Sequence, residues 1–66
     1  MIKCRLSNLM GERKLRVADV ARGTGLSRST VTSLYKETAE RIDIDTIDAL
    51  CEFLECDVGE LFVHET

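Results

Sequence analysis

The stretch from Val17 to Leu34 constrains this chain more than any other, because it reads as two short helices joined by one sharp turn. Val17, Val20 and Ala21 recur at helical spacing, and Val31 and Leu34 repeat the pattern after a polar start. Between them, Gly25 supplies the positive φ that closes a helix, Leu26 is placed to drop inward, and Ser27 is placed to cap the next helix by accepting a backbone N–H. Such a pattern is the local logic of a helix-turn-helix. It spans roughly residues 17–36 of a single domain covering residues 1–66.

The surroundings read as supports for that unit. Ile2, Leu6, Leu9 and Met10 form one apolar stripe, predicting a first helix over about Ile2 to Arg13 that acts as a buttress. A fourth helix follows the polar connection Glu37 to Arg41. Asp43 is its expected cap, Ile42 and Ile44 its anchors, and Ile47, Leu50, Cys51 and Leu54 its buried stripe. Asp57 and Glu60 have the spacing of a capping box for a short last helix, whose Val58, Leu61 and Phe62 close the core. His64, Glu65 and Thr66 are expected to fray.

Charge separates along the chain. Residues 1–36 carry eight Lys or Arg against two carboxylates, a net +6, whereas residues 37–66 carry one Arg against ten carboxylates, a net −9. That asymmetry fits a basic face for nucleic acid and an acidic back. The total of −3 implies weak rather than strong non-specific DNA affinity. A chain of 66 residues is near the lower limit for folding without staples, so a partner subunit has room to contribute. No apolar run is long enough for a membrane span and no signal-peptide pattern is present, which predicts a cytoplasmic protein. Cys4, Cys51 and Cys56 are odd in number and lack CxxC spacing, so they read as reduced, structural thiols rather than a disulfide framework or a metal site.

The third helix, about Arg28 to Lys36, carries the candidate site. With Val31 and Leu34 turned inward, Arg28, Ser29, Thr32, Ser33 and Lys36 occupy the outer face. Ser and Thr lower helix propensity there but let the helix lie close to another surface, as a major groove demands. Arg28 is read as a guanine reader. The alternative, a surface arginine at a helix start, is disfavoured by the dipole. Thr38 and Arg41 are expected phosphate neighbours. Gly23-Thr-Gly25 completes no phosphate-loop spacing, and no nucleophile–base pair or carboxylate pair can be drawn, so an enzyme is not expected.

Residues 21–34, together with Ile44-Asp-Thr-Ile47-Asp-Ala-Leu50 and Cys56-Asp-Val58-Gly-Glu-Leu61-Phe62, resemble the Cro and phage-repressor class of helix-turn-helix domains, the XRE family with a lambda-repressor-like fold. The resemblance implies an all-α, five-helix domain acting as a DNA-binding transcriptional regulator, a repressor before an activator, whose third helix enters the major groove. It implies base contacts from Arg28, Ser29 and Ser33, with Thr32 beside them. Tyr35 to Thr38 match the segment that touches phosphate after the recognition helix. The chain departs from the pattern in two places. Arg16 and Val17 stand where the family commonly has Ser or Thr and then Gln, leaving the second helix without its customary cap and polar contact, with Arg16 offering a phosphate contact of its own. Tyr35 stands where the family often has Glu, either packing near Met10 or offering its hydroxyl to phosphate.

Double-stranded DNA and a second copy of the chain are the expected partners, with no membrane, cofactor, metal or small-molecule ligand implied. Ala49, Phe53 and Val63 are the candidate dimer patch, because Phe53 falls off the fourth helix's main stripe. The competing expectation is a protein-interaction module of the same fold, an antirepressor or a toxin-neutralising partner docking through the acidic half.

Overall fold

A computed structural model describes all residues 1–66. The elements run β1 (Ile2–Cys4), α1 (Leu6–Glu12), α2 (Val17–Thr24), α3 (Arg28–Tyr35), α4 (Ile44–Leu54), α5 (Val58–Leu61) and β2 (Phe62–His64). The five expected helices are present. The all-α description needs correction, because the first three residues of the expected first helix pair antiparallel with Phe62–His64, Ile2 opposite His64, Lys3 opposite Val63 and Cys4 opposite Phe62, and of the tail expected to fray His64 is in the strand.

The cause is pairing between distant segments rather than a local burial pattern: Cys4 and Phe62 pack on the core, Ile2 is left 63% exposed, and the backbone of each segment finds its partner on the other. The chain ends are bonded together as well: the Met1 ammonium donates to the Glu65 carbonyl at 2.8 Å, and the Glu65 N–H donates back to the Met1 carbonyl at 2.8 Å.

Ten apolar side chains form the core: Leu6, Leu9, Met10, Val20, Ala21, Val31, Leu34, Leu50, Leu54 and Leu61. Every helix contributes at least one, so each is held by burial rather than by propensity. On α4 the buried stripe is Thr46, Leu50 and Leu54, with Ile47 and Cys51 half-buried at its margin. The expected anchor Ile44 is 78% exposed, because the first residue of α4 turns away from the core.

The helix starts differ in how they are capped. Ser27 caps α3, its Oγ accepting from the Thr30 N–H at 3.1 Å and donating to the Thr30 hydroxyl at 2.8 Å. Asp43 and Asp57 hold extended backbone at the starts of α4 and α5, but neither side chain accepts the expected capping bond. The start of α2, expected to lack a cap, receives one from inside the helix: the Asp19 carboxylate accepts from the Arg16 N–H at 3.0 Å.

At the other ends, Gly25 takes φ 78° after α2, as the turn requires. Lys14, Glu37 and Glu55 adopt φ of 53–56° after α1, α3 and α4. Each is followed by a residue whose N–H reaches back over the last turn, Leu15 to the Met10 carbonyl, Thr38 to Ser33 and Cys56 to Cys51. All three helices are therefore closed by the six-to-one bond of a Schellman motif, with a side chain at the left-handed position.

That conformation costs a non-glycine residue about 1–2 kcal/mol. Glu55→Gly is expected to stabilise the domain by about 1 kcal/mol, raising Tm by roughly 4–8 °C in thermal denaturation. Removing a carboxylate from the negative end of α4 acts in the same direction. Glu37→Gly should give little or no gain, because the Glu37 carboxylate accepts the Cys4 N–H at 3.2 Å and that bond would be lost.

Candidate nucleic-acid interface

The turn between α2 and α3 is assembled from side chains as well as from Gly25. Thr24 donates its hydroxyl to the Val20 carbonyl at 2.7 Å and accepts the Leu26 N–H at 3.2 Å. Leu26 is half-buried against the core. Together with the Ser27 cap, these bonds fix the angle at which α3 leaves the turn.

Val31 and Leu34 seat α3 on the core, and the opposite face is open. Arg28 and Ser29 are exposed, Thr32 and Ser33 are half-buried, and Tyr35 is 44% exposed. The four residues expected at base edges thus share the unburied side of one helix. A hollow of about 350 Å³ lies beside this face, bounded by Ser29, Ser33, Arg41, Asp43 and Thr46. It brings the α3 residues Ser29 and Ser33 together with Arg41, expected at phosphate.

The remaining expected phosphate residues divide. Arg16, Lys36, Thr38 and Arg41 are exposed. The Thr38 hydroxyl turns back onto the Ser33 carbonyl at 3.4 Å and its N–H onto the same atom at 2.9 Å, so Thr38 closes the end of α3. Val17 is half-buried and packs against the core. Its side chain offers no donor, which leaves its backbone N–H, in the first turn of α2, as its only means of meeting an anion. Asp19 pairs with Arg22 at 3.0 Å. Arg22 is 80% exposed on its side chain, so the pair adds little stability, but it offsets a carboxylate on the helix that precedes the reading face.

Ala49, Phe53 and Val63 do not come together in one hollow. Ala49 and Phe53 line a depression with Gly23 and Thr24, where the Phe53 ring lies over Gly23. Val63 lines another, with Lys3, Asn8 and Glu37.

Two residues of the interface scaffold escaped sequence reasoning. Thr24 is the side chain that closes the turn, and Glu37 ties the exit of α3 to β1. The only available signal for Thr24 was a hydroxyl four residues after Val20, within reach of its carbonyl. Nothing local marked Glu37, whose partner lies 33 residues away. Beside it, burial pushes the Cys4 thiol pKa up, the Leu6 backbone hydrogen bond lowers it, and the Glu37 carboxylate raises it.

The family model of the Cro/C1-type HTH DNA-binding domain matches residues 5–66. The chain belongs to this family. As a Cro/C1-type domain it is also similar to the uncharacterized HTH-type transcriptional regulator YozG of Bacillus subtilis (strain 168), with 24% identity over 58 residues, covering 88% of this chain and 69% of that protein. The matched range takes in the whole helix-turn-helix and all five helices of this Cro/C1-type domain, while β1 precedes it. No helix is long and apolar enough to cross a membrane. No group of three or more His, Cys, Asp or Glu side chains is arranged to hold a metal ion.

Proposed function

We propose that this domain is a sequence-specific transcriptional regulator that lays α3 in the major groove. Arg28 reads guanine, while Ser29, Thr32 and Ser33 allow close approach and meet neighbouring base edges. Arg16, Lys36 and Arg41 hold phosphates on either side, joined by the Tyr35 hydroxyl and the Val17 backbone N–H. The observation that carries the reading is the open face of α3, short-chained between Arg28 at its start and Tyr35 at its end and held by the Gly25 turn and the Ser27 cap. A protein of this kind represses by covering polymerase's site. It acts as a homodimer in the cytoplasm, on a two-fold operator with half-sites about 34 Å apart.

Binding-site selection with the purified protein, followed by Arg28→Ala on the selected duplex, tests the proposal. Expected is a loss of about 1–3 kcal/mol with relaxed preference at one base pair. Arg16→Ala and Lys36→Ala should weaken all duplexes alike and lower the salt slope by roughly 1 each. Failure to enrich any motif would overturn the proposal in favour of a protein-interaction module. Equal weakening by Arg28→Ala on selected and random duplex would remove Arg28 from the base readers.

A further inference from the structure

The C-terminal end of α4 brings together two of the three free cysteines. Cys51 lies in the last turn of α4 and Cys56 is the second residue beyond it, joined by the bond from the Cys56 N–H to the Cys51 carbonyl at 3.0 Å. In a Schellman motif these two positions carry the side chains that touch across the cap. Here both are thiols, both half-buried against the core, with the left-handed Glu55 folding one back over the other. Cys4 stands apart from them, on β1.

We infer that Cys51 and Cys56 form a dithiol modification site that closes reversibly to an intramolecular disulfide, a redox staple across the α4–α5 corner. The fold supplies the placement such a bond needs: two half-buried cysteines at the cap positions whose side chains meet, over backbone that is already bonded. A domain of 66 residues with a ten-residue core has much to gain from it.

The co-reactant is a low-molecular-weight disulfide. One cysteine thiolate attacks a sulfur of that disulfide, forming a mixed disulfide and releasing one small thiolate. The second cysteine, deprotonated, attacks the protein-bound sulfur of the mixed bond and expels the other small thiolate. Two protein thiols are oxidised, one small disulfide is reduced to two thiols, and the two cysteine protons end on those products.

The surroundings set the pace. Burial raises the Cys56 thiol pKa, the adjacent Cys51 thiol on α4 and then Glu60 on α5 raise it further, and Arg13 beyond α1 lowers it. With the thiol favoured at neutral pH, closure should be slow at pH 7 and quicken up to tenfold per pH unit toward pH 8.5. Such a site responds to sustained oxidising conditions rather than to a brief pulse.

The test is incubation of the folded Cys4→Ser protein with glutathione disulfide, read by intact mass, thiol titration and thermal denaturation. Expected is the loss of two hydrogens with no glutathione retained, no free thiol, and a Tm higher by roughly 5–10 °C that dithiothreitol reverses. Cys51→Ser and Cys56→Ser in the same background should show no such mass loss. The wild-type chain, mapped by peptide mass, should carry the 51–56 bridge with Cys4 outside it. Persistent glutathione adducts on Cys51 or Cys56, two thiols that stay free, a disulfide through Cys4 in the wild type, or a lower Tm on closure would each overturn the inference.

Discussion

Leu50→Ala is expected to cost about 2–5 kcal/mol and to raise the unfolded fraction of the domain at physiological temperature. A chain of this length is stable by roughly 3–10 kcal/mol at 0.05–0.15 kcal/mol per residue, so the substitution removes between a fifth and all of it. Leu50 has no exposed surface, and its helix packs on both α2 and α5. With only ten apolar side chains in the core, few neighbours can move into the vacated space, and incomplete collapse is what drives the cost toward its upper range. Leu50→Met, which nearly conserves volume, should cost less than about 1.5 kcal/mol. Thermal denaturation followed by circular dichroism separates the two. A Tm for Leu50→Ala within about 4 °C of the parent would mean that the core is not assembled around this residue. Because α4 supports α2, loss of Leu50 should also reduce DNA affinity through the unfolded fraction, and less so at low temperature.

The parts of this protein legible in its sequence are those whose chemistry is local. Ser27 caps α3 through a neighbour three residues away, Gly25 takes its positive φ from its own lack of a Cβ, and Val31 and Leu34 mark the inner face of α3 by spacing alone. The family and the helix-turn-helix follow from such signals. What could not be read depends on partners distant in the chain. Ile2 lies at helical spacing from Leu6, yet Met1 to Cys4 meet Phe62 to Glu65 across the whole length of the protein and become a strand. The carboxylate of Glu37 looked like loop charge and is the clasp of β1. Asp43 and Asp57 occupy capping positions without making the bond, because sequence names a possible acceptor but not its rotamer. At the candidate site, exposure of Arg28, Ser29, Arg16 and Lys36 followed from the pattern. The half-burial of Val17 against the core followed from its helical spacing with Val20 and Ala21, whereas the family pattern has a polar DNA contact at that place.

Phe53 turns on the same distinction. Its position off the main stripe of α4 suggests an exposed surface, but its ring lies over Gly23 of α2, where a Cβ would land on the ring itself. Glycine inside a helix is ordinarily a liability, and replacement by alanine gains about 0.5–1 kcal/mol. Here the sign should reverse: Gly23→Ala must displace an aromatic ring seated between two helices and is expected to cost about 1–3 kcal/mol. In a Phe53→Leu background the obstruction is gone, and the same Gly23→Ala should become neutral or stabilising. The double-mutant cycle therefore predicts a coupling of about 1–3 kcal/mol between residues 23 and 53, measured by denaturant unfolding. Simple additivity would show that the ring moves aside freely and that the α2–α4 contact is loose. The cycle bears on the oligomer as well. Because Phe53 helps hold α2 to α4, a charge placed there perturbs the fold before it reports on a dimer. The association proposed for this domain is better read from sedimentation of the unmodified chain over a range of concentrations. A species that remains monomeric throughout, yet still protects a two-fold operator, would mean that the DNA itself brings the two copies together.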